Sequence, residues 1–241
     1  MGRFSNLVIA GIVSMSFATG SAMAFGQPGA GGFSFGLIAS SNTFDTSGTE
    51  FQNSIIAGRS GQENSTTVST DADFGSGFIE YTAHPEGSLA AVTFGLEFIP
   101  GSHNIGTKTR TDDNTMAGES VDDGTYTGKA EVSHYASLYV EPTIMAGDYF
   151  GVYLKGGVSH LKIRSMEDIA LGADSSSYDD AHVIGGIYGA GIKFGNILFL
   201  KLEATRTEYQ AINLQSLTGN KNRIEAKPEQ DSLRLAIGIN F

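Results

Sequence analysis

Charged side chains recur inside stretches where apolar residues alternate with small ones. Four are anions and four are cations, so their formal charges sum to zero. Charges in a narrow, water-poor interior must be paired, because an isolated buried charge is costly. The pattern predicts a salt-bridged interior, which either blocks passage through the molecule or simply allows a filled interior to fold. The set comprises Glu80, Glu97, Glu141, Lys155, Lys193, Lys201, Glu203 and Arg234.

Histidine and serine are the other residues that could do chemistry. The chain has five histidines, and no two of them share a short metal-ligand spacing. Ser133, His134, Ser137, Ser159 and His160 contain the ingredients of a Ser–His pair. Such a pair also needs a base within reach and an orienting carboxylate, and the sequence shows neither. We therefore predict no catalytic residue, no metal site and no cofactor.

In the segments that carry these side chains, apolar residues alternate with polar or small ones. This period of two is the period of a β-strand. The pattern is clearest in residues 232–241, where one face is wholly apolar and the other mixes small residues with one cation. The apolar face consists of Leu233, Leu235, Ile237, Ile239 and Phe241.

Eight stretches with this period predict eight strands. Long polar segments alternate with short turns between them, so all long connections fall at one end. A three-residue turn at residues 146–148 would set Tyr139 opposite Lys155, with Glu141 one diagonal step away. Arg234 is expected on the strand next to Glu203. The predicted strands are residues 31–41, 74–83, 89–99, 129–144, 149–161, 182–194, 198–209 and 232–241.

Two classes of β-barrel have strands with this period, and they differ in whether the apolar face points inward or outward. A soluble, lipocalin-like barrel has its apolar side inward, whereas a membrane barrel has it outward. The polar faces carry many small residues, which fit the narrow interior of an eight-stranded barrel. Charged residues make up only 17% of the chain, against about 25% in soluble domains. We therefore predict an all-β fold: an eight-stranded, antiparallel, up-and-down transmembrane β-barrel.

The N-terminal segment has the features of a secretory signal peptide. Arg3 precedes an apolar run over residues 7–18, and Ala22-Met23-Ala24 is an A-x-A-like cleavage site. A membrane anchor is the alternative, but a spanning helix needs about 20 apolar residues. The predicted division is a signal peptide at residues 1–24 and a barrel domain at residues 25–241.

Overall composition excludes other classes of protein. The net charge is −11, which argues against a nucleic-acid partner because phosphate binding needs clustered Lys and Arg. There is no Cys, so disulfides and thiolate metal sites are excluded.

The cleavage site, the loop alternation and the strand at residues 232–241 together resemble the small eight-stranded outer-membrane β-barrel superfamily. This class includes the OmpA transmembrane domain and porin-like proteins. The resemblance implies a bacterial outer-membrane location, short periplasmic turns and long extracellular loops. It also implies contact with lipopolysaccharide, and with periplasmic chaperones and the barrel-assembly machinery, which would recognise the apolar face ending in Phe241 as an assembly signal.

Within that resemblance, the polar loops offer two candidate lipid contacts. Acidic pairs at residues 112–113, 122–123 and 179–180 could hold divalent cations that bridge to lipopolysaccharide, although solvated loops are the simpler interpretation. Lys221, Arg223 and Lys227 could contact lipopolysaccharide phosphates.

The expected function is a non-enzymatic, structural or surface-interaction role with a non-conducting lumen. A narrow or gated porin-like channel for small solutes is the first alternative. A lipid A-modifying outer-membrane enzyme is the second. The extracellular ligand stays unspecified.

Overall fold

A computed structural model describes residues 32–52, 62–85, 87–112, 124–147, 149–169, 178–217 and 222–241. Within these ranges the regular structure is entirely β-strand, and no helix is long and apolar enough to cross a membrane. The predicted signal peptide lies outside the described residues. The strands are β1 Gly32–Gln52, β2 Gln62–Ala83, β3 Ala90–Asp112, β4 Gly124–Met145, β5 Phe150–Ile169, β6 Ala181–Gly195, β7 Leu198–Tyr209, β8 Ile212–Gln215 and β9 Arg223–Asn240.

The sheet closes on itself as an eight-stranded barrel. Each strand from β1 to β7 pairs antiparallel with the next, β7 pairs with β9, and β9 returns to pair with β1. The short strand β8 lies outside this ring and pairs only with the first residues of β9. The predicted eight-stranded antiparallel barrel is therefore confirmed. The additional strand β8 was not predicted, because its four residues are too few to show a period.

Burial alternates along the strands with the apolar residues outside. On β7, Phe199 is 1% exposed, whereas its neighbours Leu198 and Leu200 are 59% and 45% exposed. The same alternation gives Leu235 53% and Ala236 1% on β9. Water would make such an apolar exterior unstable, so the solvent of this surface must be hydrocarbon. These exposures confirm the prediction that the apolar faces of the strands point outward.

The strands extend much further than the apolar period predicted. Residues 42–52 and 62–73 were expected in a loop, yet they pair with each other as the outer parts of β1 and β2. Polar contacts between facing side chains accompany this pairing, such as Thr43 to Asp71 at 2.8 Å and Thr49 to Ser65 at 2.9 Å. Most described side chains of these outer parts are polar, and the buried residues Asn42 and Phe44 are too few to make an apolar period.

The three short turns each contain a glycine with positive φ. These are Gly87 at 72°, Gly147 at 75° and Gly195 at 114°. Residues other than glycine rarely adopt this conformation, so these positions fix the turns. The turn before β5 is longer than predicted: Met145 pairs with Gly151, and Tyr139 pairs with Gly157 instead of Lys155. The predicted pairing of Tyr139 with Lys155 is therefore wrong by two residues.

Two separate sheets project from the long-loop end. β2 and β3 pair only from Ala83–Val92 up to Gly77–Phe98, although both strands continue well beyond that point. Beyond it, β2 pairs with β1, which pairs with β9, while β3 pairs with β4, which pairs with β5. Backbone pairing between β2 and β3 therefore ends there, although the rings of Phe74 on β2 and His103 on β3 still meet, with centroids 5.3 Å apart.

Side chains fill the interior at both ends of the barrel. An apolar cluster of Ile38, Phe78, Phe199 and Ala236 lies towards the short turns. A second cluster lies towards the long loops and contains Val132, Tyr135, Leu161, Ala181, Val183, Tyr209 and Ile212. The charged residues of the interior belong to neither cluster, and their arrangement defines the candidate site.

Candidate functional site

The centre of the site is the ammonium group of Lys201 on β7. Its Nζ lies 2.6 Å from Glu80 Oε1 on β2 and 2.6 Å from Glu141 Oε2 on β4. Glu203 Oε1, two residues further along β7, lies 3.5 Å away. Alternation along each strand turns all four side chains inward. A single cation thereby connects three strands across the lumen.

Lys155 on β5 extends the network. Its Nζ lies 3.0 Å from Glu203 Oε2 and 3.2 Å from Glu141 Oε1. The same ammonium lies over the ring of Tyr139, 3.8 Å from its centroid. Glu141 and Glu203 are thus each shared between Lys155 and Lys201, which compensates more of their buried charge than one partner could.

Arg234 on β9 joins the fourth carboxylate. Its Nη2 lies 2.5 Å from Glu97 Oε2, and its Nε lies 3.4 Å from Glu203 Oε2. Glu203 and Arg234 are direct neighbours in the β7–β9 pair, as the sequence predicted for the two strands. Ser76 donates a hydrogen bond of 2.6 Å to Glu97 Oε1. The network therefore continues from β7 through β9 to β3.

Two tyrosines complete the network, and neither was part of the charge network predicted from the sequence. The hydroxyl of Tyr139 donates to Glu80 Oε1 at 2.8 Å, and that of Tyr153 donates to Glu203 Oε1 at 2.8 Å. Each tyrosine stands two residues before a charged lumen residue, so the period of two places it on the same inward face. That spacing was the available signal.

Lys193 lies apart from this network. No carboxylate of the described residues lies within 4.0 Å of its ammonium, which instead lies over the Phe199 ring at 4.0 Å from the centroid. The connected network holds four carboxylates and three cations, so its formal charge is −4 + 3 = −1. Counting Lys193 restores the interior sum to zero.

The network is shielded from water. The charged side chains of Lys155, Lys201 and Arg234, and those of their partners, are 1–5% exposed. Towards the long loops, Gln230 donates to Asn42 at 2.9 Å and Tyr209 donates to Gln230 at 2.8 Å. This second polar layer lies between the ion pairs and the outer apolar cluster. Among the described residues, buried side chains therefore occupy this part of the interior.

Nothing in the described part of the chain assembles a catalytic site. His134 Nδ1 lies 3.1 Å from the hydroxyl of Ser133, and no hydrogen bond or ion pair links either residue to a carboxylate. The lumen residue Ser137 is instead 3.5 Å from Glu97. Among the described residues, no group of three or more His, Cys, Asp or Glu side chains could hold a metal ion.

The predicted lipid contacts that fall on described residues lie towards the long loops. Lys162 Nζ is 2.6 Å from Asp180, and this hydrogen-bonded ammonium lowers the pKa of the Asp180 carboxyl. Arg206 contacts Glu229, and Lys227 Nζ is 3.4 Å from Glu229. The side chain of Lys221 and the residue pairs 112–113 and 122–123 fall outside the described side chains.

The predicted assembly face forms part of the apolar exterior. Leu233, Leu235 and Ile237 are 61%, 53% and 48% exposed. The ring of Phe241 is 44% exposed and stacks on Phe35 of β1, with centroids 5.1 Å apart. The face is thus available to a partner or to lipid, and its recognition as an assembly signal stays a prediction.

A closed antiparallel barrel of eight strands, apolar outside and ion-paired inside, defines the class of fold: this is a small eight-stranded β-barrel with an apolar exterior. No family model and no curated protein sequence matches the chain. Solved structures that it resembles include Ail, the attachment invasion locus protein of Yersinia pestis, at 12% identity and a TM-score of 0.31, covering 82% of this chain and 97% of that one. A Pseudomonas aeruginosa FadL homologue is similar at 7% identity and a TM-score of 0.27, covering 87% of this chain and 90% of the other.

Proposed function

We propose that this protein is an integral outer-membrane barrel with a structural or surface-interaction role and a lumen that does not conduct. The observation that carries the proposal is the Lys201 network, which ties β2, β4 and β7 together through one buried ammonium. A permeating ion would have to displace contacts of 2.6 Å in a site shielded from water. Nothing in the network offers it a replacement path.

The projecting sheets support a surface role. Beyond Gly77 and Phe98, β2 and β3 each present an edge that no other described strand covers. Backbone N–H and C=O groups at such an edge can pair with an added strand. The polar composition of these parts, rich in Ser and Thr, keeps them soluble while leaving the backbone accessible. Contact with another molecule therefore fits the projecting sheets better than it fits the lumen.

The proposed partners follow from the location. The outward apolar residues would contact lipid, and the charged residues just beyond them, including Lys162 and Arg206, would contact lipopolysaccharide. The signal peptide at residues 1–24 would direct export. Periplasmic chaperones and the barrel-assembly machinery would then act during insertion, with the apolar face of β9 as the assembly signal.

Planar-bilayer recording of the purified, refolded protein tests the proposal. We expect no large, steady conductance from the wild-type protein. A heat-modifiable shift on a detergent gel shows that the sample is a folded barrel before recording. Large, steady conductance from folded protein would overturn the proposal in favour of the porin-like channel. Mass analysis of lipid A after expression tests the enzymatic alternative, and we expect no change in lipid A.

A further inference from the structure

Two histidines meet on the outer surface of the barrel, close to the long-loop end. His160 on β5 and His182 on β6 lie on the outward faces of adjacent strands. His182 pairs with Lys162 and His160 pairs with Ile184, so the two histidines are diagonal neighbours. Diagonal neighbours are within reach of long side chains across a strand pair. The sequence hides this relationship because the residues are far apart along the chain.

The two imidazole rings present one nitrogen each to the same point. His182 Nδ1 lies 3.3 Å from His160 Nε2, and the ring centroids are 5.4 Å apart with an interplanar angle of 24°. A contact between two neutral imidazoles needs one N–H donor and one bare nitrogen. The donor nitrogen can bind a metal once its ring adopts the other tautomer, in which the proton sits on the ring's remaining nitrogen.

The separation fits one metal ion. Imidazole nitrogens bind zinc at about 2.0–2.1 Å, so two nitrogens on one tetrahedral zinc lie about 3.3–3.4 Å apart. Imidazole is also a ligand type that zinc, copper and nickel favour. We propose that His160 and His182 form a surface chelate for a first-row transition-metal ion, best suited to zinc, with water in the remaining coordination positions.

The surrounding charges are compatible with a cation. Lys162 is the cross-strand neighbour of His182, but its ammonium is held 2.6 Å from Asp180. Arg164 Nε lies 3.7 Å from the same carboxylate. Asp180 therefore offsets cationic charge beside the histidines. The exposed position of His182 and the half-buried position of His160 leave room for metal-bound water.

Zinc titration of the refolded, untagged barrel by isothermal calorimetry tests the proposal. We expect His160→Gln and His182→Gln each to weaken this zinc binding more than about tenfold, since even the loss of an outer partner of a ligand costs that much. His84→Gln is the control, because His84 lies beside the short turn at the opposite end of the barrel, with its Nε2 2.8 Å from the backbone oxygen of Ser88. The gel shift verifies that each variant is folded.

Three results would overturn the proposal. They are the absence of zinc binding to the wild-type barrel, unchanged binding in His160→Gln or His182→Gln, and an equal loss in His84→Gln. None of these results bears on whether the lumen conducts.

Discussion

Glu203 and Arg234 face each other directly across the pairing of β7 with β9. Their closest contact, from Arg234 Nε to Glu203 Oε2, is 3.4 Å, whereas Arg234 Nη2 lies 2.5 Å from Glu97 Oε2. Arg234 is therefore the principal partner of Glu97 and a secondary partner of Glu203, which also has Lys155 and Lys201. The β7–β9 pairing thus places Glu203 beside Arg234, while the shorter contact of Arg234 is to Glu97 on β3.

Replacement of Arg234 by alanine should destabilise the barrel by about 3–5 kcal/mol, because Glu97 would keep a buried charge without its cation. Unfolding by urea in lipid vesicles measures this change. Arg206→Ala is the control: this arginine pairs with acidic residues too, but it is 41% exposed, so we expect a loss of under about 1 kcal/mol. Similar losses in the two variants would contradict the buried pairing.

The two lumen lysines of β6 and β7 should differ in importance. Lys201→Met removes the cation shared by three carboxylates and should cost about 3–5 kcal/mol or more. Lys193→Met removes a lysine that has no carboxylate of the described residues within 4.0 Å, and it should cost under about 1.5 kcal/mol. Urea unfolding of the two variants side by side tests the difference. Equal losses would mean that Lys193 takes part in the network.

The tyrosine hydroxyls should stabilise the carboxylates that they contact. Tyr139→Phe and Tyr153→Phe each remove a hydrogen bond of 2.8 Å to a buried glutamate and should cost about 1.5–3 kcal/mol. Tyr149→Phe is the control, since Tyr149 is 61% exposed and outside the network. It should change the free energy of unfolding by under about 0.5 kcal/mol. Neutral effects at both lumen tyrosines would show that the hydroxyls do not stabilise the ion pairs.

An added arginine should destabilise the barrel on its apolar exterior but not on the projecting strands. Leu235→Arg should destabilise the barrel in a bilayer by about 2–4 kcal/mol, the cost of arginine near the midplane. Thr66→Arg, on the projecting part of β2, should be nearly neutral. Unfolding in lipid vesicles measures both variants. A Leu235→Arg protein as stable as the wild type would indicate that water, not lipid, covers that face.

The period of two was sufficient to predict the barrel and the inward direction of its charges. It also placed β7 beside β9, and hence Glu203 beside Arg234. It could not fix the register of β5, because the turn after Met145 is longer than the local sequence indicates. The structure consequently sets Tyr139 opposite Gly157.

Other features depend on three-dimensional closure, which a linear pattern does not contain. The contact between Arg234 and Glu97 joins β9 to β3, two strands that are not neighbours in the sheet. The meeting of His160 and His182 depends on the β5–β6 register. The projecting strands escaped prediction because most of their described side chains are polar, so the apolar alternation is missing.

Thiol accessibility tests the central claim most directly, and the absence of native cysteine makes the measurement clean. Ser159→Cys would place a thiol in the lumen, Val158→Cys would place one on the exterior next to it, and Thr66→Cys would place one on a projecting strand. In vesicles, a charged, water-soluble maleimide should label only residue 66, because a thiol at residue 158 faces hydrocarbon and stays protonated. Rapid labelling of residue 159 by the charged reagent in folded protein would contradict a closed, ion-paired interior.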